Sequence, residues 1–128
     1  MLPSAVEELL RYDSPVQRTG RITNTDVELD GRKIAKGSLV VTALGAANRD
    51  PAHFPDPDRL DITRRDNRHV AFGFGIHFCL GAPLARLEGQ IAIGSLLRRM
   101  PGLRLATSTL EWRESSTLRG LKKLPVAF

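Results

Sequence analysis

The sequence predicts an α+β fold, and three local signals carry that expectation. A capped, amphipathic helical stretch occupies Ser4 to Tyr12. An Asp30-Gly31 pair sits between short extended segments, the strongest short-range hairpin signal. A long helical stretch, Ala82 to Met100, is closed by Pro101-Gly102. With 128 residues the chain has the length of one domain, residues 1–128, and its 41% hydrophobic content suffices for a core.

The elements follow in order. In the first helix Ser4 can act as N-cap, Glu7 completes a capping box, and Val6, Leu9 and Leu10 form an apolar stripe. Ser14-Pro15 stops it. Val16 to Asn24 alternates loosely, as an extended segment does. Val27 to Ile34 folds back on itself through Asp30-Gly31, and Lys36-Gly37 makes a second turn. Leu39 to Ala47 is apolar throughout and is expected to be buried, with periodicity alone leaving strand and helix both open. Asn48 to Asn67 carries Pro51, Pro55 and Pro57 among many Asp and Arg residues, an irregular stretch of a length that is usually functional. In the helix from Ala82, Pro83 suits the first turn, and Arg98 and Arg99 suit the last. From Leu103 the tail reads as short strands with a bend at Arg119-Gly120.

Bulk properties exclude several classes. A single cysteine rules out an internal disulfide and fits a reducing compartment. Apolar stretches such as Ser38 to Ala47 are too short to span a bilayer, so no membrane association is expected. The residues after Met1 lack a basic region followed by an apolar one, which argues against a signal peptide and for the cytoplasm. The formal net charge is +5, but the positive residues are scattered and aromatics for base stacking are few. An acidic protein partner therefore suits the charge better than nucleic acid.

The run Phe72-Gly73-Phe74-Gly75-Ile76-His77-Phe78-Cys79-Leu80-Gly81 holds the only cysteine, in a glycine-punctuated loop leading into the long helix. Backbone N–H groups and the positive end of a helix both stabilise an anionic sulfur, so Cys79 is a candidate metal ligand or nucleophile. Gly73 and Gly75 permit unusual φ angles and close approach to a bulky group. Phe72, Phe74 and Phe78 can wall an apolar pocket, and His77 can donate to an anion or ligate a metal. Zinc held by Cys79 with His77, His69 or His53 is a weaker alternative, because paired-ligand spacing is lacking. A tight loop around an inert cysteine is the plainest alternative.

Phe72 to Gly81 resembles the haem-binding loop of cytochromes P450, Phe-Gly-x-Gly-x-His-x-Cys-x-Gly, at every fixed position. The similarity continues through Ala82-Pro83-Leu84-Ala85-Arg86-Leu87-Glu88, like the start of that family's helix L. Glu8-Leu9-Leu10-Arg11 is similar to the Glu-x-x-Arg of helix K, and Asp56-Pro57-Asp58-Arg59-Leu60 to the family's meander. Asn48-Arg49-Asp50 and Ala5 to Gln17 resemble bacterial, soluble members. The resemblance implies the C-terminal part of the P450 fold: helix K, β-hairpins, meander, Cys-ligand loop, helix L and a terminal β-hairpin. It further implies haem b (iron protoporphyrin IX) as cofactor, with Cys79 as the thiolate axial ligand of its iron. By the same resemblance His77 and Arg21 bind the propionates, Phe72 packs against the proximal haem face, and Gly73, Gly75 and Gly81 belong to the cofactor-binding set. Glu8, Arg11 and Arg59 would form a buried structural triad. Val16 to Thr19 and Thr117 to Leu118 would touch substrate.

The implied activity is monooxygenation, inserting one atom of dioxygen into a small organic substrate. Electrons would come from NAD(P)H through a ferredoxin-type partner docking near the start of helix L, where Arg86 is a candidate contact. The resemblance covers the whole chain but only about the last third of the family's length. No Ala-Gly-x-x-Thr-like segment of a distal, oxygen-activating helix occurs, so the chain is expected to be incomplete in isolation and to hold no catalytic residue of its own. The alternative is a catalytically silent remnant that binds haem weakly or serves as an interaction module.

Overall fold

Helix α1 spans Leu2–Tyr12 in the computed structural model, which describes residues 1–128. It begins ahead of the predicted cap. Pro3 fits the first turn, where its missing N–H goes unnoticed, so the helix starts before Ser4. The Ser4 hydroxyl donates to the Met1 carbonyl at 2.8 Å and caps nothing, which leaves Glu7 free for other partners.

Strand β1 (Thr19–Ile22) pairs antiparallel with β4 (Leu39–Thr42), Thr19 opposite Thr42 and Ile22 opposite Leu39. Between them β2 (Val27–Leu29) and β3 (Arg32–Ile34) form the predicted hairpin. Asp30 (φ 50°) and Gly31 (φ 73°) both adopt the left-handed conformation that a type I′ turn requires. The apolar run from Leu39 divides into β4 and a single helical turn, α2 (Leu44–Ala47). It is not buried as expected. Leu39 is 67% and Val41 49% exposed, since no further layer covers that face within this chain.

Residues 48 to 71 run as successive turns without strand or long helix. Helix α3 (Ala82–Arg99) then crosses α1, and two glycines set the approach. A Cβ at Gly89 would stand 3.2 Å from Val6 Cγ1, and one at Gly94 2.8 Å from Leu2 Cδ2. The tail ends in β5 (Arg104–Leu105) paired with β6 (Val126–Ala127). Its bend falls at Ser116-Thr117 rather than Arg119-Gly120. Arg119 and Gly120 are held extended, the Arg119 N–H by the Pro15 carbonyl (2.8 Å) and the Gly120 carbonyl by the Arg113 N–H (2.9 Å).

The centre of the molecule is polar. Its largest fully buried side chains are Arg11, Glu8, Asn48 and Ser14. Arg11 places all its donors: Nε and Nη2 on the Glu8 carboxylate at 2.8 Å each, Nη1 on the carbonyls of Asn48 and Pro57, and Nη2 also on that of Arg59. Asn48 donates to Ser14 Oγ (2.7 Å) and accepts from the Val70 N–H (2.7 Å), tying α1 to the segment before the cysteine loop.

One triad member differs from the sequence expectation. Arg59 contributes its backbone carbonyl, while its side chain lies on the exposed side of the turn opened by Asp56 (φ 47°). The second guanidinium at Glu8 is that of Arg64, with Nε 3.2 Å from Oε2, accompanied by Asn67 Nδ2 at 3.1 Å and the Asp61 N–H at 2.9 Å. The turn directs Arg59 outward and brings Arg64 back over α1.

Candidate functional site

The cysteine loop is built by its glycines. Gly73 (φ 75°) and Gly75 (φ 71°) both take the left-handed conformation, which an L side chain disfavours. Between Gly75 and His77 the chain makes one 3₁₀ turn, and the Cys79 N–H then donates to the Phe72 carbonyl at 3.0 Å, closing the loop. The Cys79 carbonyl accepts the Ala82 N–H at 3.2 Å, handing the chain into α3. Gly81 has an ordinary φ, and a Cβ there would stand in ordinary contact with Cys79 Sγ at 3.7 Å.

Cys79 is exposed and lines an open cavity of about 730 Å³. Phe72, Phe74, His77 and Arg21 share that lining, bringing together most of the residues that the sequence singled out. The Arg21 guanidinium lies along β1, with Nη1 donating to Thr19 Oγ1 (3.0 Å) and the Gly20 carbonyl (2.8 Å). Val16 and Thr19 line the same cavity. Thr117 and Leu118 do not; they pair through the backbone with Gln17 and Val16.

The zinc alternative is not assembled. His69 Nε2 lies 3.1 Å from Glu7 Oε2, and His53 lines a different cavity beside Asp66 and Arg68. No three His, Cys, Asp or Glu side chains converge as a metal site.

Behind the cysteine loop stands a cluster that the sequence reading missed. Arg86 grips Glu7 with two hydrogen bonds, Nε to Oε1 at 2.7 Å and Nη2 to Oε2 at 3.0 Å. Its guanidinium lies 4.7 Å from the centroid of the Phe72 ring, and its side chain stays 32% exposed. The Arg86 hydrogen bonds hold the Glu7 carboxyl below its usual pKa, against a smaller opposing effect of burial. Burial lowers the pKa of His69, opposed in part by Glu7. The neutral ring suits its contacts: Nδ1 accepts the Ala71 N–H at 3.2 Å, leaving Nε2–H to face Glu7. At Glu8 burial pushes the pKa up, but the bonds from Arg11, Asp61 and Arg64 together bring it below the ordinary value. The helical period held the signal for this cluster, since Glu7 and Glu8 are about 100° apart on α1 and cannot share one partner.

Comparison with known proteins agrees with this geometry. The family model described as Cytochrome P450 matches residues 1–101. Cytochrome P450 107B1 of Saccharopolyspora erythraea is 59% identical, aligned over 98% of this chain and 32% of its own length. The 6-deoxyerythronolide B hydroxylase of the same organism is 50% identical, aligned over 98% of this chain and 31% of its own. The crystal structure of P450BioI in complex with hexadec-9Z-enoic acid ligated acyl carrier protein superposes with a TM-score of 0.96 at 51% identity. It covers 99% of this chain and 33% of that one. The chain thus spans about a third of the length of the curated relatives that it matches.

Haem b is the cofactor of these relatives' family, and the residues present fit it. A soft sulfur donor lies on an open cavity, aromatic walls flank it, and two nitrogen-bearing side chains, His77 and Arg21, line the same space. Nothing stands within 4 Å of where a Cβ would be at Gly75, which leaves the backbone open to a flat group. The sequence match, the fold and the donor set converge: this chain belongs to the cytochrome P450 family.

Proposed function

We propose that residues 1–128 form the haem-thiolate half-site of a bacterial-type cytochrome P450 monooxygenase. The observation that carries this reading is the exposed Cys79 on the cavity it shares with His77 and Arg21. When bound, haem b supplies reductive activation of dioxygen, with one atom entering the organic substrate and the other leaving as water, for two electrons and two protons.

The chain's own residues have narrower tasks. Cys79 would hold the haem iron through its thiolate, in a loop closed by its own N–H on the Phe72 carbonyl. His77 and Arg21 would hydrogen-bond the two propionates and so orient the group. Phe72, lining the same cavity, would pack against the bound group beside the sulfur. Val16 and Thr19, reaching the same cavity, contact substrate at its edge. The name of the 6-deoxyerythronolide B hydroxylase supports hydroxylation as the reaction type and a small organic molecule as substrate. The net charge of +5 fits an acidic redox partner of the ferredoxin type.

The test is haem reconstitution of the chain, both alone and replacing the corresponding third of cytochrome P450 107B1. After reduction and carbon monoxide, the replaced protein shows the red-shifted Soret band of thiolate ligation, and Cys79→Ser abolishes it. A band that survives Cys79→Ser, or a replaced protein that takes up no haem, overturns the reading. A replaced protein with thiolate-ligated haem that hydroxylates nothing would favour a silent haem-binding module instead.

A further inference from the structure

We infer that Arg86, clamped by Glu7, is a positioning residue that acts through the Phe72 ring to hold the Cys79 loop in its ligating form. Glu7 lies on α1, Arg86 in the second turn of α3, and Phe72 at the start of the loop. Both Arg86–Glu7 bonds are short, and the planar fork fixes the guanidinium in two directions at once. That fixed plane lies 4.7 Å from the Phe72 centroid, within cation–π range. The ring is cornered from two other sides, by Phe78 at 6.4 Å in an edge-on arrangement and by His69 at 6.3 Å. His69 is itself bound to Glu7 Oε2, the oxygen that also accepts from Arg86 Nη2.

The backbone of Phe72 transmits the constraint. Its carbonyl accepts the Cys79 N–H, so the residue that carries the ring also closes the loop around the sulfur. Phe72 and Cys79 face the same cavity. A ring free to turn would loosen the hydrogen bond that sets where Cys79 sits. Arg86 does not line the cavity, and its direct contact with the loop is the Phe72 ring, with the Glu7–His69 link bearing on the same ring. The value of this to the haem site rests on the reading proposed above, whereas the loop constraint itself exists without haem.

Hydrogen exchange at the Cys79 amide in the haem-free chain separates the two. Losing a partly shielded cation–π contact should speed that amide about fivefold in Arg86→Met relative to the amides of α1. In a Phe72→Leu background, Arg86→Met should add nothing, because its intermediary is gone. Arg86→Lys, which keeps the charge opposite Glu7 but not the planar fork, should give a smaller acceleration with the same dependence on Phe72. It serves if Arg86→Met does not fold. Equal acceleration at the Cys79 and α1 amides would make Arg86 merely structural, and an undiminished effect in Phe72→Leu would exclude the ring as intermediary. Either result overturns the inference, and neither depends on haem uptake.

Discussion

Glu8 and Arg11 are three residues apart on one helix, an arrangement worth little on a surface. Here both side chains are fully buried, and every donor of the guanidinium has an acceptor, so removal of one partner leaves an uncompensated internal charge. Glu8→Gln should destabilise the chain by about 3–5 kcal/mol in urea unfolding, and Arg64→Met by clearly less, because Arg11 would still satisfy Glu8. Arg59→Met should be nearly neutral, since only its backbone takes part; a loss matching that of Arg64→Met would contradict the assignment. The same groups make stability depend on pH. The folded-state pKa values of Glu7, Glu8 and His69 are all lowered, so the unfolded chain binds more protons and stability falls as pH falls. The decline should begin below the ordinary histidine value of 6.5 and steepen below the carboxylate value of 4.5. His69→Asn should flatten the first part only, as read from unfolding midpoints across the range. The Glu-x-x-Arg pair was legible in the sequence because it is local. Which meander arginine returns to Glu8 was not, because that depends on the path of some fifty intervening residues.

The elements divide the same way. The β2–β3 hairpin and α3 could be read from their turn and end residues, Asp30-Gly31, Pro83 and Pro101-Gly102, whose backbone preferences act over a few bonds. The Cys79 loop was legible for a related reason, its glycines marking φ values that few residues accept. The start of α1 differs because Pro3 suits the first turn ahead of Ser4, and the tail bend because backbone pairing with Pro15 and Arg113 holds Arg119-Gly120. The α1–α3 crossing leaves no local trace beyond its glycines, and those two should respond oppositely to substitution. Val6 is buried and stiff at χ1, so Gly89→Leu must push the helices apart and should destabilise by about 1–3 kcal/mol. At Gly94 the near atom is the flexible end of Leu2, which can swing aside. Gly94→Ala should therefore gain up to about 1 kcal/mol from helix propensity. Thermal unfolding of the pair checks both signs, and a stabilising Gly89→Leu would show that the crossing is looser than drawn.

The accessible surface of the chain is 9836 Å², whereas a compact monomer of its mass exposes roughly 6,700 Å². Much of the surplus is apolar: Leu80 is 99% exposed, Ile76 98% and Phe74 88%, and α3 adds Leu84, Leu87, Ile91 and Leu97. The expectation that the apolar run from Leu39 is buried therefore fails within this chain, since nothing in it covers that face. These residues are ordered around a cavity and a helix rather than scattered, so the surface has the character of an interface of the kind that buries large apolar areas. No helix is long and apolar enough to cross a membrane, so lipid covering by a spanning helix does not account for it. Two consequences can be measured. The chain alone should bind an apolar dye strongly and associate as its concentration rises in sedimentation experiments. Set in place of the matching third of cytochrome P450 107B1, the same residues should lose the dye signal and remain dispersed, with Cys79 protected from alkylation once haem is loaded. A chain that stays monomeric and dye-silent on its own would mean that α3 and the cysteine loop repack against each other in solution. The open cavity over Cys79 would then not be the resting form of the site.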